Sequence, residues 1–206
     1  MKMLTRISSA ILLLSLTACV SMQKEVKDEQ WTYTPNPTTG AVLVSIVEEA
    51  PNPEVKSCLC PSIFYRDAGS KKNNGFLHPC EGMSCNFQNG DFTNAHGELY
   101  LLELPVGNYE FYNYSINIST GVSEGEITAK NAFSMPFSVQ AGKVKYVGEA
   151  KLKDVMGKNA FGMSVPAGEI PSVSDQHVRD FATAKKKFPK LPLEQVVIDV
   201  KPFAGK

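Results

Sequence analysis

Cys58, Cys60, Cys80 and Cys85 fall within one short stretch of the chain, together with His78 and Met83. Thiols gathered in this way have two chemistries open to them. Oxidised, they form two disulfides; Cys58 and Cys60 are separated by a single residue and would strain a bridge to each other, so each pairs with Cys80 or Cys85. Both connectivities stay open. The bridges would close loops of roughly 20 to 28 residues, each worth about 3 kcal/mol on a chain-entropy argument. Reduced, the cysteines join the Met83 thioether and the His78 imidazole as soft ligands, with His78, Cys80, Met83 and Cys85 the tightest set. That donor set suits Cu(I) or zinc, but its spacing matches no zinc-finger framework, and the disulfide state is the expectation.

Ser123 presents a second candidate chemistry, because Gly121-Val122-Ser123-Glu124-Gly125 matches the G-x-S-x-G nucleophile elbow. An elbow needs a buried parallel strand before it and a helix after it. Asn117 to Ala129 is instead polar, without helical period, and neither His96 nor His177 has a setting that would complete a triad. No catalytic residue is expected. Walker A, dinucleotide and paired-carboxylate signatures do not occur, although carboxylates brought together only by folding leave no local pattern.

The fifth cysteine stands apart. Leu16-Thr17-Ala18-Cys19 closes a short apolar run, Ile11 to Leu16, that follows Lys2 and Arg6. That run falls far short of the roughly 20 residues a spanning helix needs, so residues 1–18 read as a cleaved signal. The segment resembles the lipobox of bacterial lipoproteins. What the resemblance implies is diacylglyceryl attachment at the Cys19 sulfur, cleavage after Ala18 and acylation, typically by palmitate, of the new amino terminus. With each buried methylene contributing about 0.8 kcal/mol, three chains anchor almost permanently. Val20 occupies the position where lipoproteins retained at the inner membrane carry Asp, which implies the outer membrane. An exported, oxidising compartment in turn favours two disulfides.

Composition supports a folded domain behind that anchor. The 206 residues are 43% hydrophobic and 20% charged, as one globular domain with a substantial core requires. Once Lys2 and Arg6 leave with the signal, the mature chain carries a charge of about −2, and Lys185-Lys186-Lys187 is its only basic run. That run reads as a solvated helix end complementing the macrodipole, so a nucleic-acid partner is not expected. Residues 19–40, with Lys24, Glu25, Lys27, Asp28, Glu29, Pro35 and Pro37, read as a lipidated tether whose Trp31 and Tyr33 could dock on the domain.

From Ala41 the pattern turns to short β-type runs. Ala41 to Val47 is rich in β-branched residues; Ser62 to Arg66, Glu98 to Leu104 and Tyr109 to Ile116 follow, the last two joined by a turn at Pro105 to Asn108. Phe133, Met135, Phe137 and Val139 alternate with other residues, as do Val144, Tyr146, Gly148, Ala150 and Leu152. Such alternation belongs to half-buried antiparallel strands. One helix is expected at about 175–188, capped by Ser174 or Asp175, with Val178, Phe181 and Ala182 as its apolar face and Pro189 and Pro192 beyond its end. A strand from Gln195 to Val200 follows.

Leu104-Pro105-Val106-Gly107-Asn108-Tyr109, an apolar strand, and then Gly142-Lys143-Val144-Lys145-Tyr146 resemble the prealbumin-like (transthyretin-like) β-sandwich modules of bacterial lipoproteins. The likeness covers roughly Ala41 to Leu152. The expected fold is therefore mainly β, an antiparallel β-sandwich over 41–206 with a disulfide-stapled insertion at about 67–97 and a C-terminal helix and strand. The resemblance implies a non-enzymatic binding or structural module without cofactor, held at the membrane through its lipid and meeting an envelope protein or glycan. The alternative is a periplasmic copper or zinc binder using the Cys58 to Cys85 segment.

Overall fold

An unbroken apolar run and an alternating one demand different surroundings, and the fold supplies both. The computed structural model describes residues 24–25, 31–49, 60–79, 90–92, 96–119, 124–202 and 204–205. Strands β1 (Lys24–Glu25), β2 (Thr39–Glu48), β3 (Cys60–Asp67), β4 (Asn73–Leu77), β5 (His96–Pro105) and β6 (Gly107–Ser119) come first. They are followed by β7 (Glu124–Thr128), β8 (Phe133–Val139), β9 (Val144–Lys158), β10 (Ser164–Ser174), helix α1 (His177–Lys187), β11 (Val197–Ile198) and β12 (Ala204–Gly205). One sheet runs in the order β1-β5-β2-β9-β10 with β11 also on β9, and the other in the order β12-β8-β6-β3-β4 with β7 on β6. The pairing is antiparallel except at β2–β9 and β9–β11, so the first sheet is mixed.

The chain is mainly β, and its two sheets pack face to face. Val42, Val44, Ile46, Leu102, Leu104 and Leu152 from the first meet Ile63, Phe111, Ile116, Phe133, Phe137 and Val139 from the second. β8 alternates buried and less buried positions as a strand with one core face must. The first sheet has a second apolar face, where Leu43, Leu99, Leu101, Val144 and Tyr146 lie under Phe92, Ala184, Phe188 and Leu191, with Trp31 and Tyr33 packed alongside. Covered on both sides, β2 is buried from Gly40 onward, which is why its sequence runs apolar instead of alternating. Gly148, at φ +104°, sits where the β2–β9 register shifts between Leu43 and Ser45, so that Val147 joins the sandwich core and Tyr146 the helix-side core.

Several expectations are refined. The stretch at 67–97 is more than a loop: Asn73–Leu77 pairs with β3, and Phe92 fills a place in the second core. Lys24 and Glu25 add a strand to β5, and Trp31 and Tyr33 dock on the domain. The strand expected from Gln195 to Val200 is confined to Val197–Ile198, behind a 3-10 turn at Leu193–Gln195. α1 is rotated away from the expected face: Val178 is 76% exposed and Ala182 is exposed, whereas Asp180, Ala184 and Phe188 are buried. The helix is docked by a carboxylate, which a search for apolar spacing passes over. Asp175 does accept a hydrogen bond from the His177 backbone N–H at 3.0 Å, although the residue preceding the helix is Gln176.

Glu110 ties β6 to its neighbours. Its side chain accepts hydrogen bonds from Arg66 Nε and Lys71 Nζ, each at 2.8 Å, and from Ser134 Oγ at 2.6 Å. Burial opposes its ionisation, but the bonds from Lys71, Ser134 and Arg66 outweigh burial and hold its pKa at about 2. A depressed carboxylate pKa contributes stability that is fully present above the unfolded value of 4.5 and is lost as pH falls toward about 2. Glu110→Gln is expected to cost about 2 kcal/mol at pH 7, less than a fully buried pair because Lys71 is largely solvated. Urea unfolding at pH 7 and pH 3 checks this, the difference between variant and wild type shrinking at the lower pH.

Candidate functional site

Glu48, the last residue of β2, continues the phase of Val42, Val44 and Ile46, and on β9 Asp154 continues that of Ala150 and Leu152. The β9–β10 ladder then sets Glu169 directly opposite Asp154. Like charges so placed destabilise a sheet. One carboxylate oxygen from each of Glu48, Asp154 and Glu169 lies within 4.8 Å of the other two. Glu48 is 3% exposed and Glu169 7%, with Asp154 half-buried. Glu48 Oε1, Asp154 Oδ1 and both carboxylate oxygens of Glu169 are buried without a hydrogen-bond partner.

Electrostatics follow from that placement. Burial, then the charges of Asp154 and Glu169, push Glu48 up to about 9. Burial followed by Asp154 raises Glu169 to about 8, and burial followed by Glu49 raises Asp154. What is held firmly is the Glu169 backbone: its N–H donates to Tyr114 Oη at 2.8 Å, and the Tyr114 hydroxyl donates to its carbonyl at 3.0 Å. Gly168, at φ +136°, lies at the β10 register shift after Pro166 and brings the backbone against Tyr114. A cleft of about 460 Å³, walled by Tyr114, Phe133, Val155, Gly168, Glu169 and Pro171, opens beside this end of the sandwich.

A second polar assembly sits on the other face of the first sheet. Asp180 Oδ2 accepts hydrogen bonds from Ser45 Oγ at 2.6 Å and Tyr146 Oη at 2.7 Å, and Oδ1 accepts from Arg179 Nε at 2.8 Å. Arg179 Nη1 also reaches Glu149 Oε2 at 2.7 Å, and its guanidinium lies 3.9 Å above the Phe92 ring. Burial, then the Asp180 carboxylate, raises the Tyr146 pKa and keeps its phenol protonated. Both oxygens of the fully buried Asp180 are bonded, so this assembly fastens α1 to the sheet and leaves nothing for a ligand. The carboxylates of Glu48, Asp154 and Glu169 present the opposite case.

Of the residues singled out in the sequence, Cys19, Cys58, Cys80, Met83, Cys85 and Ser123 lie outside the described residues. Cys60 opens β3, and His96 opens β5. His78 is half-buried with Nδ1 2.9 Å from Ser62 Oγ, and burial lowers its pKa against the opposing charge of Glu98. His177 lies on α1 with ring Nδ1 2.8 Å from Asp175 Oδ1. After the stretch that holds Ser123, β7 pairs antiparallel with β6 and leads into β8.

No family model matches the chain, and no curated protein does. Among solved structures, a leucine-rich repeat protein from Bacteroides thetaiotaomicron VPI-5482 is similar at 12% identity and a TM-score of 0.31, covering 56% of this chain. The chain spans 14% of the length of that protein, and a likeness this slight bears on neither fold nor function. No helix among the described residues is long and apolar enough to cross a membrane.

Proposed function

We propose that this protein is a lipid-anchored, non-enzymatic module of the bacterial cell envelope, held at the outer membrane through Cys19 and engaging an envelope protein or glycan. The observation that carries the reading is the pairing of Lys24 and Glu25 with β5 so soon after the lipobox-like Leu16-Thr17-Ala18-Cys19. An extended chain spans about 3.3–3.6 Å per residue, which keeps Cys19 within roughly 18 Å of β1. A lipid there would hold the β1 edge of the first sheet close to the bilayer surface. The two-sheet architecture supports the resemblance to prealbumin-like modules, whose role is binding or scaffolding.

Two disulfides among Cys58, Cys60, Cys80 and Cys85 remain part of this reading. β3 and β4 pair at Ile63 and Leu77, and Ser62 still contacts His78 one step further on. Cys60 opens that same strand β3, and each of Cys58 and Cys60 is taken to pair with Cys80 or Cys85.

Cys19→Ser tests the anchor. The variant is expected to lose fatty-acid labelling and to move from the membrane fraction to the soluble fraction almost completely, since acyl chains supply nearly all the membrane affinity. Continued labelling or membrane retention of the variant would contradict the proposal.

A further inference from the structure

We propose that Glu48, Asp154 and Glu169 form a calcium site that closes one end of the sandwich. Three carboxylates on adjacent strands, two of them at least nine-tenths buried, present oxygens to one another, and four of those oxygens, Glu48 Oε1, Asp154 Oδ1 and both of Glu169, are buried without a hydrogen-bond partner. An arrangement of that kind costs stability in proportion to its charge and its unmade hydrogen bonds. A shared proton removes charge but leaves most of the buried oxygens unpartnered. A cation removes charge and coordinates the oxygens at once.

The donor set selects the ion. All the candidate ligands are hard carboxylate oxygens, with no imidazole or thiolate among them, which excludes a preference for zinc or copper. Three carboxylates can supply up to six oxygens if each binds through both. Calcium takes 6–8 oxygens at about 2.3–2.6 Å in flexible geometry, so opposed ligands stand up to roughly 5.2 Å apart. The observed separations fall within that limit. Magnesium demands a near-ideal octahedron at about 2.0–2.1 Å and keeps several waters, which suits a mostly buried cluster less well.

No described basic side chain competes for the position: Lys151 and Lys153 pair instead with Glu49. The Tyr114 hydroxyl holds the Glu169 backbone in place without using its carboxylate. The cleft walled in part by Glu169 lies beside the cluster. Bound there, the ion would join β2, β9 and β10 at the end of the sheet where β2 stops.

The test uses the full-length protein in detergent, stripped with EDTA and titrated with calcium, magnesium or zinc, followed by calorimetry and by thermal unfolding. Wild type is expected to bind one calcium per chain. At calcium a hundred times its Kd, Tm should rise by roughly 5–10 °C. The double variant Asp154→Asn/Glu169→Gln should lose this response while melting no lower than EDTA-treated wild type, because amides relieve the repulsion that calcium otherwise relieves. The single variant Glu169→Gln should weaken calcium binding at least tenfold, which keeps the test decisive if the double variant does not fold. Absence of calcium binding by wild type, an undiminished response in the variants, or stabilisation by zinc or magnesium in place of calcium would each overturn the proposal.

Discussion

Asp180→Ala is expected to cost about 3–5 kcal/mol and to loosen α1 from the first sheet. Asp180 is fully buried and carries three side-chain hydrogen bonds, from Ser45, Tyr146 and Arg179. Its removal leaves the Tyr146 hydroxyl and the Ser45 hydroxyl short of an acceptor and takes one of two carboxylates from Arg179. Ala184 and Phe188 would still offer apolar contact, but the helix has few such residues and an exposed Val178. Urea unfolding gives the size of the loss. Trp31, the single tryptophan, packs in the same layer and supplies a fluorescence signal for its loosening. Asp180→Asn should lose less, since an amide oxygen still accepts from Ser45 and Tyr146. A loss below about 1 kcal/mol for the alanine variant would mean that the apolar contacts alone dock the helix.

Phe137→Ala is expected to cost a similar 3–5 kcal/mol by a different route. Phe137 is 2% exposed in the centre of β8, with its ring 5.0 Å from that of Phe111 and 5.5 Å from that of Tyr109. Truncation leaves a cavity between the sheets that a rigid β-framework closes only in part. The loss should appear in the global transition, with the helix-side layer reporting it no earlier than the sheets do. Loss under about 1 kcal/mol would show that this part of the sandwich can collapse around the gap.

Strand periodicity was readable wherever one face is dry and the other wet, as in Phe133–Val139, whose expected and observed bounds coincide. Phe137, Val144 and Tyr146, apolar positions of the alternating runs, are all buried, Phe137 between the sheets and the other two on the helix side of the first sheet. β10 is not legible in the sequence because Ser164–Ser174 carries Pro166, Gly168 and Pro171, which are tolerable on an edge strand with a register shift but read as turn signals. β4 begins with two asparagines and a glycine, and pairing with β3 overrides their weak strand preference. The buried face of α1 does not show in its apolar spacing because Asp180, a residue that normally argues for solvent, is what the sheet holds.

The carboxylate cluster illustrates the same limit. Glu48 lies on a strand far from Asp154 and Glu169 in sequence, and only the parallel β2–β9 pairing and the β9–β10 hairpin bring the three together. A trace of it existed locally: Asp154 falls on the apolar phase of Ala150 and Leu152, where a carboxylate is out of place. The residues that drew attention by type, the clustered cysteines with His78 and Met83, are linked to the described fold through Cys60 and His78 on the β3–β4 side.

The proposed anchor at Cys19 underlies the proposed placement of the domain at a membrane, and mass spectrometry of the amino-terminal peptide from membrane-isolated protein addresses it directly. The expected peptide begins at Cys19, carries a diacylglyceryl group on sulfur and a third acyl chain on its amino nitrogen, and retains nothing of residues 1–18. A peptide that still contains residues 1–18, or one that begins at Cys19 with a free thiol and free amine, would contradict lipid anchoring and with it the proposed position of the β1 edge at the bilayer.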